Sequence, residues 1–164
     1  MIPIALLLCG ALAACNAAAP SRAPPAGYDF PALAGCVVDT ADLLPPAIEA
    51  QLAARIANAE AQSKHQFVVV TVNSLGGKSI EDYGRALGNW WGIGRKGGDD
   101  SVLLIVAPNE HKARIEVADG LTKALTDQEA GIIMDDTILP RFRDQHMADG
   151  IVAGSNAILR EITE

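Results

Sequence analysis

Few residues of this 164-residue chain have types and spacings that could do chemistry. Gly92-Ile93-Gly94-Arg95-Lys96-Gly97 spells GxGxxG, the pattern of a loop that cradles dinucleotide phosphates. That mechanism needs the loop to leave a strand and open a helix, so that phosphate meets the helix N-terminus. Here the loop follows a helical stretch and enters an apolar one, so the geometry is backwards and no nucleotide is expected. Gly92 suits a left-handed helix stop instead. Asp99 and Asp100 close the same loop. A hard cation such as calcium needs several oxygens at once, from carboxylates and backbone carbonyls. Paired acids could serve it, or could simply be solvated at the start of a strand. Arg95 and Lys96 could hold an anion opposite those acids or pair with them.

Covalent chemistry has less to stand on. Ser74, Ser79 and Ser101 lack a GxSxG elbow. His65, His111 and His146 fall at a helix end, a hairpin turn and a loop, exposed places where histidine is usually only polar. Cys36 has no motif-linked histidine, so a cysteine hydrolase is not expected. Cys9, Cys15 and Cys36 form no metal-ligand spacing, so no zinc site is expected, and Cys36 reads as a small apolar filler, with pairing to another chain as the alternative.

The elements that must position these residues follow from periodicity. Residues 46–64 place Ile48, Leu52, Ile56 and Ala59 on one face of an amphipathic helix. Residues 66–72 (QFVVVTV) form a nearly continuous β-branched run, the mark of a strand buried on both faces. Ser79 begins a helix through Trp91, with Glu81 and Asp82 in its first turn and Ile80, Tyr83, Leu87 and one tryptophan on its apolar face. The other tryptophan is expected nearer the surface. Residues 101–107 (SVLLIVA) and 112–118 (KARIEVA) are two strands joined by a short turn, hence an antiparallel hairpin. Thr126 or Asp127 caps a third helix ending before Pro140, and residues 147–162 form a last one. The order predicts a three-layer α/β sandwich: a small mixed sheet of about three to four strands flanked by about four helices.

Residues 2–14 (IPIALLLCGALAA) are apolar and uncharged, long enough for an export signal and too short to span about 30 Å of hydrocarbon. Their end, Leu12-Ala13-Ala14-Cys15, resembles the bacterial lipobox, which implies cleavage before Cys15 and a lipid on its thiol. Ordinary cleavage nearby would instead release a soluble exported protein. Residues 15–35 are rich in alanine and proline and read as a tether, leaving 36–164 as one domain. The net charge of -7 excludes a duplex-binding footprint and makes covalent attachment to a membrane more natural than an electrostatic one.

Four blocks resemble the TPM family of exported and thylakoid-lumen domains. They are Val38-Asp39 with Ala41 to Leu44; Tyr83 to Lys96 with its Trp-Gly-Ile-Gly; Asp99-Asp100 leading into Ser101 to Leu104; and Arg114 to Val117 with Gly120-Leu121. They stand in family order over residues 36–162. The resemblance implies an α/β sandwich, usually membrane-tethered, that assists membrane complexes, with calcium binding and acid phosphatase activity attributed to some members. It also adds Asp39, Glu116 and Asp119 to Asp99 and Asp100 as the implied cation ligands. The family's glutamate is replaced here by Thr122, and its Asn-Gly by Asp100-Ser101. The reading is therefore a lipid-anchored accessory module in the cell envelope, on the extracytoplasmic side, with a possible divalent cation. The alternative is a metal-assisted phosphomonoesterase using the same acids.

Overall fold

A computed structural model of the chain describes residues 20, 22–94 and 99–164. Cys9, Cys15 and the loop residues Arg95, Lys96 and Gly97 lie outside them. Four strands form one sheet in the order β1 (Val37–Asp39), β2 (Gln66–Thr71), β3 (Ser101–Ala107), β4 (Lys112–Val117). The first three run parallel, and β4 returns antiparallel to β3. All seven residues of β3 are buried and β2 is buried beyond its first residue, as continuous apolar runs require.

Alternation across the pleat divides the interior into two cores. Phe67, Val69, Val102, Leu104 and Val106 point to a layer holding α1 (Pro46–Ser63), α3 (Asp127–Ile132), α4 (Leu139–Arg143) and α5 (Met147–Thr163). Val68, Val70, Leu103, Ile105 and Ala107 point to the opposite layer, where α2 (Ile80–Trp91) packs with Phe30 and Leu33. The three-layer sandwich expected from the element order is the observed architecture. Ser79 caps α2 by accepting from Asp82 N at 3.0 Å, and Gly92 ends it at φ 63°, as the sequence predicts.

Four expectations need correction. Val37–Asp39 forms a strand, a segment too short for periodicity to reveal. Pro140 does not end the third helix. The chain widens into a π-helical stretch (Ile133–Ile138) and resumes as α4, with Pro140 in its first turn, where the widened turn accommodates the missing N–H. Trp90 and Trp91 do not split between core and surface; both are buried. Cys36 is buried but is disulfide-bonded, so it is more than an apolar filler.

The tryptophans are covered by residues assigned to the tether. The indole N–H of Trp90 donates to the carbonyl of Arg22, and that of Trp91 to the carbonyl of Pro31, each at 3.0 Å. Tyr83 Oη donates to the carbonyl of Asp29 at 3.2 Å, and the Arg22 guanidinium donates to the carbonyl of Asn89 at 3.1 Å. Phe30 lies edge-on to Tyr83 at 5.0 Å and tilted against Trp90 at 5.5 Å. Phe30 and Leu33, with Tyr28 packed against them, are thus part of the second core, and the exposed residues before them are fastened to α2 through Arg22. Burial there, with Asp29 and Glu110 nearby, pushes the Tyr83 hydroxyl up to about 12.

Candidate functional site

An open cleft of about 300 Å³ lies at the sheet edge where β3 begins and β4 ends, roofed by α2. Its polar lining comes from Arg85 and Asn89 on α2, Asp99 and Ser101 entering β3, and Glu116 and Asp119 leaving β4. The hairpin brings these acids together, because β4 finishes beside the residues where β3 starts. Ala118 N donates to the carbonyl of Ser101 at 2.9 Å and Gly120 N to that of Asp99 at 3.2 Å, joining the two walls. The glycine loop is held on the far side by Gly94 N, which donates to Gln66 Oε1 at 2.5 Å. Asp99 has φ 43°, a left-handed conformation imposed at the loop's end.

Gly84 sets the depth of the cleft. A Cβ there would collide with Ile105 Cδ1, and it would stand 3.9 Å from Glu116 Oε2. Only a glycine lets α2 approach the sheet this closely beside the acids.

The five implied ligands do not assemble. Asp99, Glu116 and Asp119 share the cleft, but Glu116 is held by Arg114, Nε to Oε2 at 2.5 Å, and Arg114 also reaches Glu81 at 3.8 Å. Asp100 does not line the cleft; its carbonyl accepts from Gln66 N at 2.9 Å. Asp39 lies at the opposite edge. It pairs in register with Thr71 while Ser101 pairs with Gln66, five residues away along β2, or roughly 17 Å. Its oxygens accept from Leu43 N, Leu44 N and Thr71 Oγ1, so this carboxylate closes the turn into α1. Among the described residues no three His, Cys, Asp or Glu side chains stand close enough to hold a metal ion by themselves. A cation in the cleft would therefore have to draw on Asp99 and Asp119 together with carbonyl or water oxygens.

The catalytic side chains stay apart. Ser79 is a helix cap, Ser74 donates to Glu110 Oε1 at 3.1 Å, and Ser101 lines the cleft. Among the described residues no hydrogen bond joins a serine hydroxyl to a histidine ring; the serine–histidine bond there is His65 N donating to Ser63 Oγ at 3.2 Å. His111 and His146 are exposed, as expected. His65 is not: it is half-buried, with Nδ1 enclosed and unpartnered.

Sequence reasoning missed Arg85 and Asn89, whose i, i+4 spacing beside Gly84 and Gly88 puts them on the helix face that turns to the cleft. It also missed Glu110. This carboxylate accepts from Leu75 N at 2.8 Å and from Ser74, and those bonds, the backbone one first, hold it below its usual range. Glu110 clips the β3–β4 turn to the loop after β2.

A family model for the TPM domain matches residues 37–161, and the chain belongs to that family. The N-terminal domain of a protein from P. gingivalis, solved by solution NMR, is 29% identical with a TM-score of 0.72, covering 77% of this chain and 80% of that one. The N-terminal domain of the cg2496 protein from Corynebacterium glutamicum shares the fold at 17% identity, with a TM-score of 0.60 and coverage of 85% and 86%. No curated protein matches the chain significantly. Among the described residues no helix is long and apolar enough to cross a membrane.

Proposed function

We propose that this TPM-domain chain is an accessory binding module, held in the cell envelope by a lipid on Cys15, that serves a membrane protein complex and takes a divalent cation such as calcium in its acidic cleft. The observation that carries the reading is the convergence of Asp99 and Asp119 on one open cleft, with no ion-pair partner for either among the described residues. Two acids with backbone carbonyls beside them suit a hard cation that accepts water in its shell. The alternative, a metal-assisted acid phosphatase, would use the same oxygens to hold phosphate and activate water. It gains less support, because among the described residues no hydrogen bond joins the Ser101 hydroxyl at the cleft to a base. The lipid anchor and the envelope location rest on the Leu12-Ala13-Ala14-Cys15 sequence; with Cys9 cleaved away and Cys15 lipidated, the disulfide of Cys36 would belong to the unprocessed chain.

The test is a thermal melt of the full chain with and without calcium, magnesium or manganese. Binding at 100 times the dissociation constant adds about 2.7 kcal/mol, which raises the midpoint by roughly 5–10 °C. The rise should vanish in Asp99→Asn and Asp119→Asn. It should persist in Asp39→Asn, although that variant melts lower because the turn into α1 loses its acceptor. No shift with any ion at millimolar concentration removes the cation from the proposal.

A further inference from the structure

Among the described residues the outer edge of β4 carries no partner strand. Because Ala118 N bonds to the carbonyl of Ser101, the antiparallel register turns the backbone groups of Lys112, Arg114 and Glu116 inward to β3. The N–H and C=O groups of Ala113, Ile115 and Val117 then point outward, and no hydrogen bond among the described residues reaches them. A native edge of this kind is a template for another chain.

A groove runs along it, made of two hollows that meet at Ala113. One, of about 360 Å³, lies between Ala113 to Ile115 and the Asp127, Ala130, Gly131 and Met134 side of the helical layer. The other, of about 660 Å³, has apolar walls of Leu139, Phe142 and Met147 and a rim of Lys112 and Arg143, with His111 beside them. No acid lines the larger hollow, in a chain of net charge -7. Neither Lys112 nor Arg143 forms an ion pair among the described residues. α5 also begins there at Met147, with no side-chain cap and with Asp149 in its first turn.

We infer that the β4 edge is the docking strand for an extended acidic peptide of a partner protein. The peptide backbone pairs with Ala113 and Ile115. An apolar side chain enters the hollow between Leu139, Phe142 and Met147, and a carboxylate next to it meets Lys112 and Arg143. Backbone pairing supplies affinity, and the pocket with its charged rim supplies selection. This names the partner chemistry of the accessory-module reading and rests on that reading, but it uses none of the residues of the acidic cleft. Loss of peptide binding and loss of the calcium response are therefore separate results.

The probe is a fluorescein-labelled peptide of alternating valine and threonine, followed by a leucine and two glutamates, titrated against the full chain by fluorescence anisotropy. Saturable binding is expected. The same peptide with alternate amides N-methylated should bind at least tenfold more weakly, and so should one ending in two lysines. Ala113→Pro removes one outward N–H while leaving the β3 ladder intact, and it should weaken binding at least tenfold without losing the calcium response. Should Ala113→Pro fail to fold, the exposed double charge reversal Lys112→Glu with Arg143→Glu takes its place, with the same expected loss. Equal binding of the N-methylated peptide overturns the inference, because the edge is then not used. Absence of binding by any peptide, with a concentration-dependent dimer in sedimentation, overturns it in favour of a second copy of this chain on the edge. Absence of both overturns it outright.

Discussion

Replacing Phe30 by alanine tests whether residues 22–33 belong to the folded domain or merely pass over it. Phe30 is 8% exposed and makes ring contacts with Tyr28 at 4.9 Å, Tyr83 at 5.0 Å and Trp90 at 5.5 Å. Truncating a buried phenylalanine costs about 3–5 kcal/mol, a range that includes the lost transfer energy and the cavity left behind. Phe30 sits at the rim of its core on a segment without regular structure, which can partly collapse into the gap, so the lower figure of about 3 kcal/mol applies. For a domain of this size that is a fall of roughly 10 °C in the melting midpoint. A second readout follows from the indoles. Both tryptophans donate to carbonyls of this segment, so loosening it exposes them to water and shifts their emission to the red. The assay is paired: circular dichroism for the midpoint and tryptophan fluorescence at 25 °C. A surface substitution away from such contacts stays within about 0.5 kcal/mol. If Phe30→Ala melts within about 2 °C of the parent and its emission does not move, the segment is not part of the core and the packing argument fails.

Two further perturbations test the cleft roof and the turn clip. Gly84→Ala gains up to about 1 kcal/mol of helix propensity but overpacks against Ile105 by about 1–3 kcal/mol, so a net loss of about 1 kcal/mol is expected in urea unfolding; a more stable variant would show that α2 is free to move outward. Glu110 has its folded pKa lowered from 4.5, so its contribution is present above that value and lost as pH falls through the folded one. Glu110→Gln should therefore melt below the parent at pH 7, with the gap closing as pH drops below 4.5; a gap constant from pH 7 to pH 3 would show that the charge is irrelevant to the clip.

What could be read from the sequence is what periodicity and capping encode. The runs around Phe67 to Val70 and Val102 to Val106 announced buried strands, and the alternation of Lys112 to Val117 announced a strand with one polar face. Ser79 and Gly92 marked both ends of α2. The hairpin placed Asp99 beside Asp119, because a short turn forces the start of one strand against the end of the next. Sheet order was not legible: nothing local says that β1 joins β2 and so carries Asp39 to the far edge from the other acids. The role of Phe30 was hidden because its neighbours are alanines and prolines, and it packs on a helix more than fifty residues away. Pro140 misled because the sequence does not display the widened turn that accommodates it.

The clamping of Arg22 onto α2 has a mechanical consequence. With Cys15 as the anchor, the leash is residues 16–21, at most about 20 Å when fully drawn out, instead of about 70 Å for residues 16–35. Effective concentration falls as roughly the −3/2 power of linker length, so the shorter leash raises it about sixfold for any partner in the same bilayer. If Cys15 carries a lipid, the C-terminal end of α2, where Arg22 is fastened, is the part of the domain kept closest to it.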